Sequence, residues 1–172
     1  MSSPPEQLIG TEGYEWMASQ AKQMENVVEV GCWAGAGTEF LLKACPGTVW
    51  AVDHWLGSPD PGDATHTPAK EHDMYAIFVQ KVGHYPNLKI LRMTSVEAAE
   101  HFADKSVDMV FIDAGHDPKH GPSIVDDLRV WVPKCRKLVC GHDWGHVPVY
   151  EAVTKLGRPV THHPSDIWSF EP

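Results

Sequence analysis

Three glycines and a dispersed set of acids and histidines are the residues here whose types and spacing suit chemistry. Gly31, Gly35 and Gly37 follow the run Val27-Val28-Glu29-Val30 in the pattern G-x-x-x-G-x-G, and Thr38 opens a helical segment directly after them. Glycines at such a place let a chain leave a buried strand, turn sharply and approach a bound molecule with no Cβ in the way. The spacing differs from the G-x-G-x-x-G of dinucleotide sites, and no Lys-Ser/Thr pair follows, which excludes a P-loop. The plainer alternative is an ordinary strand-to-helix turn. Asp53 comes 22 residues after Gly31, at the end of the next apolar run. A carboxylate there can accept both ribose hydroxyls of an adenosine.

A second group consists of Asp113, His116, His142 and Asp143. If the strands that end at Asp113 and Cys140 are neighbours, their carboxyl ends bring Asp113 beside His142 and Asp143. Two carboxylates and an imidazole can hold a divalent cation, which would polarise a substrate hydroxyl. Alternatively, His116 or His142 takes a proton near neutral pH. Against both stands a structural role, with strand-end polar residues capping the next helices and bonding one another. The segment Gly57 to Asp73 is long and rich in Pro, Gly and Asp, with His66 and His72 in its second half. Such a segment reads either as an active-site lid or as a plain surface loop. Trp33, Trp55 and Trp144 each follow a predicted strand, where they flank a ligand or pack in the core.

The elements that must position these residues alternate along the chain. Residues 11–25 predict a helix with Thr11 as its cap. Strands follow at 26–31, 48–53, 88–93 and 107–113, with 137–140 forming most of a fifth, and helices at 38–44, 74–82, 96–103, 123–131 and 149–156 alternate with them. Short strands at 159–162 and 167–170 finish the chain. Strand 107–113 is almost continuously apolar, as expected when helices cover both faces of a parallel sheet. The pattern predicts one α/β domain over residues 1–172, a doubly wound sheet that is mostly parallel, with ligands at the carboxyl ends of its strands. The last two strands are too close in sequence for a crossover helix, so at least one must run antiparallel.

Bulk properties narrow the function classes. The 172 residues fit one domain, 42% hydrophobic and 22% charged. A formal net charge of −9 disfavours a nucleic-acid surface, and basic clusters are short, such as Lys134-Cys135-Arg136-Lys137. No apolar run is long enough to span a bilayer. The N-terminal residues carry neither a basic nor an apolar signal segment, and the four cysteines form no CxxC framework. Both point to a cytoplasmic protein with free thiols.

With these motifs in place, residues 26–157 resemble the class I S-adenosylmethionine-dependent methyltransferases, which are Rossmann-like. Glu29-Val30-Gly31-Cys32-Trp33-Ala34-Gly35 is similar to their first motif and Val52-Asp53 to their second. Thr94-Ser95 matches the region that approaches the adenine. Phe111-Ile112-Asp113-Ala114-Gly115-His116 and Val139-Cys140-Gly141-His142-Asp143-Trp144 resemble a subgroup of small O-methyltransferases from sugar and natural-product tailoring, some of them metal-dependent. The resemblance implies S-adenosylmethionine as cofactor, with Glu29, Gly31, Gly35, Gly37, Asp53, Ser95 and Asp113 around it. It implies Asp113, His116 and His142 as catalytic residues, and Asp113, His142 and Asp143 as metal ligands. In metal-dependent relatives all three ligand positions are usually oxygen donors. His142 departs from that set and favours Mn²⁺ or Zn²⁺ over Mg²⁺, or no metal. The implied reaction is methylation of a hydroxyl oxygen on a small molecule. An NAD-dependent oxidoreductase and a non-catalytic S-adenosylmethionine-binding protein are the alternatives. With little chain left for a substrate domain, the acceptor sits in an open cleft, or a partner subunit of a homo-oligomer completes the pocket.

Overall fold

Seven strands and the helices between them follow the alternation of apolar runs and amphipathic segments. The computed structural model describes residues 9–115 and 123–172. Helix α1 (Thr11–Ala21) precedes β1 (Asn26–Val30), α2 (Ala36–Ala44), β2 (Thr48–Asp53), α3 (His66–Glu71), α4 (Met74–Val82) and β3 (Leu88–Arg92). Then come α5 (Ser95–Ala99), β4 (Val107–Ile112), α6 (Ile124–Trp131), β5 (Cys135–Gly141), α7 (Val147–Thr154), β6 (Thr161–His163) and β7 (Ile167–Phe170).

The strand order is β3-β2-β1-β4-β5-β7-β6. The first five strands are parallel, and β7 runs antiparallel to both β5 and β6. The chain therefore turns outward in both directions from the β1–β4 pair, and the crevice outside these strand ends is where such sheets bind ligands. Alternation along the central strands divides the core. Val27, Met109 and Phe111 face one layer with Tyr14, Met17, Leu41 and Phe78. Val28, Val30, Val110 and Ile112 face the other with Leu128, Trp131, Val149 and Val153.

One buried acid fixes the end of the sheet opposite the crevice. Asp108, within β4, accepts the backbone N–H groups of Glu25 and Asn26 at 2.8 and 3.1 Å. It also pairs with Arg136 Nε at 2.6 Å and Lys137 Nζ at 2.9 Å. Burial opposes its charge, but these donors outweigh it and hold the carboxyl well below its ordinary range.

Several expectations are corrected. Thr11 is the first residue of α1 rather than its cap; Gly10 occupies the cap position and makes no side-chain cap bond. The segment 57–73 contains α3, which buries none of its residues. Strand β5 runs over Cys135–Gly141, with the expected 137–140 as its larger part. Helix α7 begins at Val147, where Pro148 sits in the first turn. All four cysteines are buried free thiols. Among the described residues no helix is long and apolar enough to cross a membrane.

Candidate active site

The sheet register brings the strand ends level. Val30 and Ile112 are paired, and so are Ile112 and Gly141. The residue after each strand stays on the ladder: Gly31 N–H donates to Val52 O, Asp113 N–H to Val30 O, and His142 N–H to Ile112 O, at 2.9, 2.8 and 3.1 Å. Gly31, Asp113 and His142 thus stand in a row on one rim. They line a cleft of about 800 Å³, together with Glu29, Gly37, Asp53, Ser95 and Asp143. His116 lies outside the described residues.

The glycine turn is shaped by the protein before any ligand enters. Gly31 has φ 87°, and a Cβ there would run into the Asp113 carbonyl, so only glycine lets β1 and β4 end so close together. Gly35 caps α2 in the left-handed region and faces the Phe78 ring rather than the cleft. Gly37 leaves room for the Glu29 carboxyl. Glu29 is buried and bonded to the Thr38 hydroxyl at 2.5 Å. Burial pushes its pKa up to about 8, against the lowering effect of bonds from Thr38 and Cys32.

Asp53 is already committed to the backbone. Its Oδ2 accepts Cys32 N–H and Trp33 N–H, both at 2.9 Å, and its Oδ1 accepts Trp55 N–H at 2.7 Å. A carboxylate has about four acceptor positions, so room remains for one further donor rather than for both ribose hydroxyls. The Trp55 indole donates to the Trp33 carbonyl at 2.8 Å, and both tryptophans have positive φ. Trp33 lines the cleft, whereas Trp55 packs on Phe78 and Tyr75. Ser95 forms part of the wall, with its hydroxyl bound by the Trp131 indole at 2.8 Å.

Across the cleft, His142 Nδ1 lies 3.4 Å from Asp113 Oδ1 and 3.0 Å from Asp143 Oδ1. Burial disfavours the imidazolium, but the two carboxylates outweigh it and push the His142 pKa up to about 10. One ligand atom from each of the three residues lies within 4.8 Å of the others. That convergence, expected from the strand ends, fits a divalent cation as well as a proton.

Sequence reasoning missed several lining residues. His54, His146 and Pro148 line the cleft, as do Ser58, Asp60 and Asp63 of the 57–65 loop. That loop is tied internally: Ser58 N–H donates to the Thr65 hydroxyl at 2.9 Å, and His66 Nδ1 sits 2.8 Å from Ser58 O. Asp127 is buried in α6 and lines the cleft. Its signal was legible: Ile124, Asp127, Leu128 and Trp131 form the buried stripe of the helix, so a carboxylate stands on an apolar face.

A family model described as a methyltransferase domain matches residues 28–144, from β1 through the turn after β5. The chain belongs to this methyltransferase family. Solved structures share the fold of this methyltransferase domain. The O-methyltransferase NovP superposes with a TM-score of 0.72 at 18% identity, covering 96% of this chain and 81% of that one. Cofactor-bound Rv0187 from MTB gives 0.68 at 14% identity, covering 98% and 84%. A methyltransferase from Geobacter sulfurreducens gives 0.65 at 16% identity, covering 95% and 80%. A search of curated proteins returned no significant match.

Proposed function

We propose that this methyltransferase domain moves the methyl group of S-adenosylmethionine to a hydroxyl oxygen of a small molecule. The observation that carries this reading is the meeting of Asp113, His142 and Asp143 in the same cleft as the glycine turn and Asp53. When bound, S-adenosylmethionine supplies an electrophilic methyl carbon on a cationic sulfur. The methyltransferase family supports the cofactor, and the name of the O-methyltransferase NovP supports the oxygen acceptor.

Glu29, Gly31, Gly37, Asp53 and Ser95 would hold the cofactor, with Asp53 giving its remaining acceptor position to one ribose hydroxyl. A methyl acceptor must reach the sulfonium as an oxyanion or close to one, so the residues facing it must manage a proton. His142, clamped between two carboxylates, keeps its proton at neutral pH and is a poor base in that state. Its role is then to order Asp113 and Asp143, and Asp143, the more exposed of the two carboxylates, takes the acceptor proton. A divalent cation would fit the same three residues in place of that proton, since Nδ1 must be deprotonated to ligate it. The mixed oxygen and nitrogen donors suit Mn²⁺ or Zn²⁺ better than Mg²⁺, and the chemistry supplied there would be polarisation of the hydroxyl.

The test is transfer of a labelled methyl group to a panel of small hydroxyl-bearing acceptors, with and without chelator. Labelled methyl ethers are expected, with turnover restored by Mn²⁺ or Zn²⁺ after chelation. Full turnover in chelator would remove the metal. Labelled amines or thiols in place of ethers would overturn the oxygen acceptor.

A further inference from the structure

The turn carrying His142 and Asp143 is held from below by the C-terminal hairpin, through one side chain above all. Strand β7 lies antiparallel beside β5 with Trp168 opposite Gly141. Trp168 is fully buried, and its indole Nε1–H donates to the His142 carbonyl at 2.8 Å. The His142 N–H donates in the opposite direction, to Ile112 O. Both backbone polar groups of His142 are therefore engaged, which fixes the peptide planes on either side of its Cα and hence the direction of its Cβ. Asp143 then takes a left-handed turn at φ 61°, and Trp144 N–H donates to Asp166 O at 3.0 Å. Residues 166–168 thus grip the turn at both ends.

Gly141 belongs to the same device. A Cβ at this position would fall 2.8 Å from Trp168 Cε2, and closer still to Cζ2 and to the Ile112 carbonyl oxygen, so the indole and β4 can both lie against the strand end only because residue 141 has no side chain. Packing alone would be served by any flat apolar ring. The indole N–H adds a directed bond to the backbone carbonyl that joins His142 to Asp143.

We propose that Trp168 is a positioning residue: seated on Gly141, its indole N–H sets the His142 backbone so that the imidazole meets Asp113 and Asp143. This rests on the reading of those three residues as the reactive group. A small rotation at His142 Cα would carry Nδ1 out of reach of one carboxylate, and supporting bonds of this kind commonly cost about 10–100-fold in metal affinity when removed.

The experiment compares wild type with Trp168→Phe, Gly141→Ala, and a protein carrying β-(3-benzothienyl)alanine at position 168, which keeps the ring shape and replaces N–H by sulfur. Three quantities are read: Mn²⁺ binding by electron paramagnetic resonance, S-adenosylhomocysteine affinity by calorimetry, and the imidazole N–H proton resonance that His142→Gln abolishes. All three altered proteins should bind Mn²⁺ at least about tenfold more weakly. The N–H resonance should shift or broaden, and S-adenosylhomocysteine affinity should change less than about twofold, because its contacts lie on other strands. Wild-type Mn²⁺ affinity and an unmoved resonance in a folded altered protein would overturn the proposal. If Trp168→Phe does not fold, the benzothienyl protein decides between these outcomes. If wild type binds no Mn²⁺, the metal fails, and the resonance alone then supports or overturns the positioning role.

Discussion

Glu29 and Asp53 show how the first two motifs work as physical parts. Glu29 holds its proton in the folded protein up to about pH 8, whereas the unfolded chain releases it near 4.5. The folded state therefore binds the extra proton between these values, and stability falls as pH rises from about 4.5 to about 8. Glu29→Gln, a neutral stand-in for the protonated acid, should flatten that slope. Thermal melts from pH 5 to 9 should show the variant gaining on wild type as pH rises, by roughly a few kcal/mol at the upper end. Parallel pH profiles would place the titration elsewhere. At Asp53, one free acceptor position implies an asymmetric ribose contact. Of the 2′-deoxy and 3′-deoxy forms of S-adenosylhomocysteine, only one should lose affinity through Asp53, by about tenfold, and that loss should shrink in Asp53→Asn. Equal losses for both analogues would contradict the count of donors already on the carboxylate. The sequence located these residues by type and spacing. It did not reveal that Asp53 also braces the turn, because its partners are backbone N–H groups of Cys32, Trp33 and Trp55, which every sequence has.

At the scale of elements, the central strands β1 and β4 were legible because their burial is nearly continuous and their register is set by parallel neighbours. The start of β5 was not. Cys135-Arg136-Lys137 belongs to a short basic cluster with no apolar run, yet Arg136 and Lys137 extend along the sheet to reach Asp108 in β4, and the ladder shifts register between Val107 and Met109. Helix α3 was hidden for the opposite reason: it buries nothing, so no periodicity marks it. The Asp108 anchor carries its own prediction. Asp108→Asn should destabilise the protein by about 1–3 kcal/mol in urea titrations, since the Glu25 and Asn26 N–H groups would share one poorer acceptor. Its carboxyl is held below the ordinary 3.8, so its stabilisation is complete above that value and is lost as pH falls further. The variant should therefore differ from wild type at neutral pH and converge with it in acid. Cofactor affinity should not change, because Asp108 lies at the opposite end of the sheet. A loss of affinity without a loss of stability would contradict this division of labour.

Over the whole molecule, the acidity seen in the net charge of −9 is repeated in the cleft, whose described lining includes seven carboxylic acids and neither lysine nor arginine. Such a field favours a cationic sulfonium over the neutral sulfide left after transfer. Raising salt from about 0.01 M to about 1 M shortens the screening length from about 30 Å to about 3 Å. The affinity ratio of S-adenosylmethionine to S-adenosylhomocysteine should fall over that range, and a constant ratio would show that the cleft field does not discriminate. Calorimetric titration of the protein with S-adenosylhomocysteine tests the cofactor site most directly. One molecule should bind per chain, Asp53→Ala should weaken it by at least about tenfold, and Asp143→Ala should leave it unchanged. No binding to the wild-type protein, or equal losses in both variants, would contradict a cofactor site built on the first two strands beside a separate reactive group on β4 and β5.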